Sequence, residues 1–142
     1  MVELVLLAAI LGMLFAVGIP LYLKYRDEAR NAKAAADIVM IEFDVRLFAS
    51  VNNNQLPISL DQFGRGTILD PWGNAYRYLS FATVTGKGQM RKDRFLVPIN
   101  SDYDLYSMGK DGKSALPLTS KYSRDDIIRA NDGAFIGLAS DY

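Results

Sequence analysis

The chain has 142 residues, one domain's length, and its 16 Lys and Arg balance 16 Asp and Glu to give no formal net charge. No basic face dominates, which argues against nucleic acid as a partner. Cysteine and histidine are both absent, so disulfides, Cys/His zinc sites and Cys- or His-based nucleophile pairs are excluded.

Without histidine the usual general base near neutral pH is also missing. Asp, Glu, Lys and Tyr remain, and no constellation of them reads as catalytic; the sequence predicts no enzyme. Half the residues are apolar, but the first 23 hold a large share of them. The remaining stretch is a polar domain with a modest core.

From Leu4 to Leu23 no residue is charged. As a helix this run is about 30 Å long, the hydrocarbon thickness of a bilayer. A cleavable signal has an apolar region of only about 7–15 residues with basic residues ahead of it, whereas here Met1, Val2 and Glu3 precede the run. A plain single-pass anchor is the simpler rival, and three features argue against it. Glu3 places an acid at the edge of the apolar zone, where ionisable groups are costly and usually partnered. Gly12 and Gly18 lower helix propensity, and Pro20 removes a backbone donor, so Gly12–Pro20 is a weak point of the helix. Such a segment suits a helix that leaves lipid to pack among its own copies. Lys24, Arg26 and Arg30 follow the run. By the positive-inside rule alone they place the rest of the chain in the cytoplasm, so a head outside requires basic residues once ahead of Met1, on a removed leader.

The helical pattern continues past Lys24. Ala32, Ala36, Met40, Phe43, Leu47 and Val51 recur at spacings of three and four and read as a core-packing stripe. Arg30, Lys33, Asp37, Glu42, Asp44 and Arg46 fall between them, toward solvent. Asn52, Asn53 and Asn54 end the helix, since Asn tolerates the left-handed conformation of a C-cap. Two segments result: residues 1–24, a hydrophobic transmembrane or filament-core helix, and residues 25–142, a soluble head carrying the helix continuation.

Within the head, Leu56-Pro57 is extended and Ser59 caps a short helical turn through Phe63. Asp70-Pro71-Trp72-Gly73-Asn74 is a dense turn signal. Tyr76, Tyr78 and Phe81 mark a first strand, Phe95-Leu96-Val97 a second stopped by Pro98, and Asp104-Leu105-Tyr106-Ser107 a third. Arg91 to Arg94 form a charged loop exit. The final ~35 residues show little regular pattern, as a functional or metal-held loop does. The fold class expected is α+β: a long N-terminal helix on a small antiparallel sheet with a long C-terminal loop. Asp102, Asp104, Asp111, Asp125, Asp126 and Asp132 make this region acidic. Singly each reads as a solvated turn residue; together they suit calcium, although their spacing is not that of an EF-hand.

The segment from Glu3 through Gly12 to Pro20 and Lys24-Tyr25-Arg26 resembles the mature N-terminus of type IV pilins and pseudopilins. Asp70-Pro71-Trp72-Gly73-Asn74-Ala75-Tyr76-Arg77-Tyr78 and Asp104-Leu105-Tyr106-Ser107-Met108-Gly109-Lys110-Asp111-Gly112 resemble the major pseudopilin of type II secretion systems. The resemblance implies a short basic leader, removal by a prepilin peptidase with methylation of the new N-terminus at Met1, residence in the bacterial inner membrane, and extraction by pilus or secretion machinery into a helical homopolymer. That filament is periplasmic or extracellular. The resemblance further implies that Glu3 pairs with a neighbour's terminal amine and that Gly12, Gly18 and Pro20 lie in a stretch that loses helical order on assembly. In the head it implies calcium, held by the Met108 carbonyl, Asp111, Asp125 and Asp126. The chain departs from the family pattern in having two residues rather than four before its glutamate, in Lys113–Thr119 where the family is glycine-rich, and in the length of Arg124–Tyr142. A membrane-anchored, monomeric calcium-binding module is the alternative reading.

Overall fold

The computed structural model describes residues 1–142. Helix α1 runs over Val2–Val51, continuous through Gly12, Gly18 and Pro20. At its end the Ala49 carbonyl accepts from the backbone N–H groups of Asn52 and Asn54, 3.1 and 2.8 Å away. Asn53 and Asn54 sit at φ 54° and 61°, so the Asn run does close the helix through left-handed residues. The chain divides into two compact units, Met1–Arg30 and Asn31–Tyr142.

In the second unit the helix buries Ala34, Ile38, Ile41 and Val45. Their spacing of four, three and four residues defines one face. This corrects the expected core stripe: Met40, Phe43, Leu47 and Val51 are exposed, and Ala32 and Ala36 with them. Glu42, expected at the surface, is buried.

Four strands form an antiparallel sheet in the order β1-β2-β3-β4: β1 Arg77–Ser80, β2 Tyr103–Ser107, β3 Ile127–Ala130 and β4 Phe135–Leu138. Side chains alternate across it, as the pleat requires. Tyr103, Leu105 and Ile127 join the helix residues, Leu60 and Tyr76 in one core cluster, while Ile128 and Ala130 join Ile99, Leu118 and Ala139 in a second. The sheet thus has cores on both faces, and all four residues of β3 are buried.

The expected first and third strands are present, shifted by a residue or two, with Phe81 opening a 3-10 turn instead. The expected Phe95–Val97 strand is not. Asp93 and Leu96 exchange backbone hydrogen bonds of 3.0 and 2.7 Å around a two-residue turn in which Arg94 has φ 47°. Pro98 has no N–H to continue a ladder. The C-terminal region is also more regular than expected, since β3 and β4 lie within it and the irregular loop is confined to 108–126. Ser59 does precede a 3-10 turn at Leu60–Phe63, but its side chain makes no capping hydrogen bond.

Candidate assembly segment and the buried ion pairs of the head

In the first unit the span that matches a bilayer in length and composition has no buried residue. Leu4, Phe15 and Tyr22, for example, are mostly exposed. Glu3 lies in the first helical turn, where a carboxylate meets the positive end of the helix dipole. It makes no ion pair within its own chain. Met1 contributes a carbonyl to the Val5 N–H at 3.3 Å. Gly12 and Gly18 have open space around them. Lys24 and Glu28 form an exposed pair at 3.8 Å just beyond the apolar run.

In the head, the Asp70–Tyr78 and Asp104–Gly112 motifs meet. Asp70 Oδ1 accepts from the N–H groups of Trp72 and Asn74 at 3.0 and 2.8 Å, closing the turn. Its Oδ2 accepts from the Ser107 hydroxyl at 2.5 Å, and Ser107 Oγ accepts from the Gly109 N–H at 3.1 Å. The turn before β1 is thereby fixed to the end of β2. Asp70 and Ser107 are buried, and a buried carboxylate holds its place through such donors.

Beyond Ser107 the chain turns toward Asp125. Gly109, at φ 63°, approaches so closely that a Cβ there would lie 2.0 Å from the Asp125 carbonyl oxygen. Only glycine fits. The Asp111 N–H donates to Asp125 Oδ2 at 2.9 Å, and Asp111 Oδ1 accepts from the Lys113 N–H at 2.7 Å. The structure therefore brings Gly109 and Asp111 together with Asp125. Asp126, the fourth member of the expected calcium set, stands apart. Its side chain is fully buried against Arg91, with Nη2 to Oδ2 at 2.6 Å. Ser114 Oγ donates to the same oxygen at 2.5 Å. No three acidic side chains gather into one group able to hold a metal, so the four-residue set does not form a single cage.

Arg91, expected in a charged loop exit, is one of two buried arginines that sequence reasoning missed. Besides Asp126 it donates through Nη1 to Ser114 Oγ at 2.7 Å and lies 4.1 Å over the Tyr106 ring. Its backbone N–H donates to buried Asp104 at 2.7 Å. The other is Arg129 on β3. It makes paired hydrogen bonds to Asp102, at 2.8 and 2.9 Å, reaches Glu42 on α1 through Nε at 3.1 Å, and covers the Tyr103 ring at 4.1 Å. Glu42 is shared with Arg46 at 2.7 Å. Gly133, at φ 92°, lets the β3–β4 turn close over it, where a Cβ would lie 2.3 Å from Oε1. A lone basic residue inside an apolar strand segment such as Ile127–Ala130 was the available signal, because a buried charge demands partners.

Burial acts on these groups. It pushes the Asp126 carboxyl up to about 6 although Arg91 pulls the other way. The reason is local: Oδ1 is buried without a hydrogen-bond partner, so one half of the carboxylate is desolvated and uncompensated. Asp104 is raised for the same first cause, while Asp132 is lowered, chiefly by the Ser101 N–H.

A long apolar N-terminal helix with a four-strand antiparallel sheet is an α+β, pilin-like architecture. Among curated proteins the chain is similar to the type II secretion system core protein G of Pseudomonas aeruginosa, 27% identical over 133 residues that cover 80% of this chain and 82% of that protein. The similarity supports the resemblance to the type IV pilin and type II secretion pseudopilin family. No protein-family model matches the chain, and no solved structure matches it significantly.

Proposed function

We propose that the chain is a structural subunit, not a catalyst, of a homopolymeric type IV pilus-like filament assembled from the inner membrane. The observation that carries this reading is the N-terminal span: bilayer-length, uncharged, unburied within its own chain, and headed by an acid that has no ion-pair partner there. In lipid, tails cover the apolar surface; in a filament, other copies of the helix cover it. Glu3 then meets the terminal amine of a neighbour, a pairing that a carboxylate among apolar helices requires. Gly12, Gly18 and Pro20 give the helix room to lose order as it changes surroundings. The similarity to a type II secretion core protein supports a filament working with secretion machinery.

Glu3→Ala tests this. Filaments sheared from cells or assembled in vitro are expected to vanish by electron microscopy and sedimentation. The head of the same variant is expected to melt as the parent does, because Glu3 belongs to neither of the head's core clusters. Normal filaments from Glu3→Ala would remove the charge-pair role. Parent chains that stay monomeric in the membrane would favour the anchored binding module instead.

Calcium is proposed at the narrower set, Asp111 and Asp125 with nearby backbone carbonyls such as that of Met108. When bound it supplies charge that offsets the two carboxylates and ties the turn after β2 to the segment before β3. Excess calcium is then expected to raise the melting temperature of the chain by mass action, and Asp111→Ala to remove the rise. A melting curve indifferent to calcium eliminates the site.

A further inference from the structure

The chain holds two Asp-Gly pairs, Asp111-Gly112 and Asp132-Gly133, and no Asn-Gly pair. In an Asp-Gly pair the glycine nitrogen is open to attack the aspartyl side-chain carbon, because glycine has no Cβ to shield its amide or restrict its backbone. Both aspartates are exposed, and both glycines have positive φ, 65° and 92°. Exposure and backbone conformation therefore do not separate the two pairs. Their hydrogen bonds do.

Asp132 is drawn away from its own main chain. Its Oδ1 accepts from the Ser101 N–H at 2.6 Å and its Oδ2 from the Ser101 hydroxyl at 2.8 Å, so both oxygens are tied to a residue 31 positions away. Its N–H donates to Asn100 Oδ1 at 3.0 Å. The turn is closed between the paired strands β3 and β4, and a Cβ on Gly133 would lie 2.3 Å from Glu42 Oε1, which leaves no slack for a longer main chain. Asp111 is folded the other way. Its Oδ1 accepts from the Lys113 N–H at 2.7 Å, the local turn in which an aspartate bonds the backbone two residues on. The ring closed by that bond contains both the Asp111 carboxyl carbon and the Gly112 nitrogen, and so brings them toward each other. The atoms nearest Gly112 are those of the Asn74 side chain, 3.3 Å or more from where a Cβ would lie. This pair belongs to no strand.

We propose that Asp111 is a site of spontaneous backbone modification, isomerising through a succinimide to isoaspartate, and that the Ser101 bonds hold Asp132 against the same reaction. The Gly112 nitrogen forms a bond to the Asp111 carboxyl carbon and gives up its proton. One carboxyl oxygen leaves as water, taking that proton and the carboxyl's own. Water then opens the ring. Attack at the former side-chain carbonyl restores aspartate, and attack at the former main-chain carbonyl leaves Gly112 joined through the side-chain carbon. One water is lost and one regained, and nothing is oxidised or reduced. The product keeps its charge, but its main chain is one carbon longer and its carboxylate one carbon shorter. The inference stands apart from both the filament and the calcium readings.

The test ages the full chain in detergent, with a chelator, at neutral pH in water enriched in heavy oxygen. Each passage through the succinimide places one heavy oxygen in the aspartyl residue. Digestion in ordinary water and mass spectrometry read that label at each pair, and methylation by an isoaspartyl methyltransferase marks the isomer. In the folded chain, label and isoaspartate are expected at Asp111 about tenfold faster than at Asp132, or more, the factor that one hydrogen bond to a charged group is worth when it must be broken first. In urea the two pairs age alike. Asp111→Glu, whose longer side chain closes the larger ring far more slowly, loses the label at that position. Equal ageing of the two pairs in the folded chain, or Asp132 ahead, overturns the proposal. So does a folded chain unlabelled at Asp111 over a time in which the chain in urea is labelled at both.

Discussion

Arg129→Met is expected to unfold the head at temperatures where the parent is intact. The guanidinium is the one group that ties α1, the segment before β2 and β3 together, through Glu42, Asp102 and the Tyr103 carbonyl. Its removal strands a Glu42 side chain that is only 8% exposed, and breaking a buried pair from one side costs about 3–5 kcal/mol. Arg46 still reaches Glu42 and Asp102 is partly solvated, so the lower end of that range applies. At about 4–8 °C per kcal/mol for a domain of this size, the melting temperature falls by on the order of 10–20 °C. Urea or thermal unfolding of the full chain in detergent measures it. A double variant, Arg129→Met with Glu42→Met, separates the pair from its members: removing both charges recovers much of the loss, because a well-packed apolar replacement is often neutral. A loss below about 1 kcal/mol in the single variant, the range of an exposed ion pair, would mean the network is decorative.

The second large effect is at Arg91, and it depends on pH. Arg91→Met leaves Asp126 buried with Ser114 as its remaining hydrogen-bond donor, a loss of about 3–5 kcal/mol near neutral pH. The folded carboxyl of the parent holds its proton up to about pH 6, against 3.8 for an ordinary aspartate. Folding therefore takes up a proton between those values. This contribution to stability is fully present below about pH 4 and is lost as pH rises through 6, and the distance between the two values caps it at about 3 kcal/mol. Three unfolding series, at pH 4, 6 and 8, decide the matter. Parent minus Asp126→Asn should show stability gained on acidification in the parent alone. The Arg91→Met defect should shrink toward pH 4, where a protonated Asp126 no longer needs a cation. An Arg91→Met defect equal at all three values would assign the arginine's role to packing on Tyr106 instead of to charge.

The parts of the fold legible in the sequence were those written locally. The length of α1, its Asn terminus, the Asp70–Asn74 turn and the Asp104–Ser107 strand each depend on residues within a few positions of one another. The face that α1 buries was not legible, because two apolar stripes run along the same stretch of helix. Met40, Phe43, Leu47 and Val51 carry the larger side chains, yet Ala34, Ile38, Ile41 and Val45 face the sheet, where a small residue allows close approach. Strands β3 and β4 were hidden for a related reason. Each has four residues, too few for a convincing alternation, and Arg129 interrupts the apolar pattern of β3 until its partners are known. Those partners, Glu42 and Asp102, lie 87 and 27 positions away. Of the expected metal set, Asp111 and Asp125 came together and Asp126 did not, since a cation from outside the loop, Arg91, already holds it. The separation of those roles is a tertiary fact.

The exposed stripe has a practical side. A head freed of its first 30 residues still carries Met40, Phe43, Leu47 and Val51 exposed along its helix, and exposed apolar side chains grouped in this way promote association. Cutting away the apolar N-terminal segment therefore does not by itself remove the apolar surface of the chain. Handling the isolated domain calls for polar substitutions at Phe43 and Leu47, which touch solvent and leave the sheet-facing side of the helix as it is.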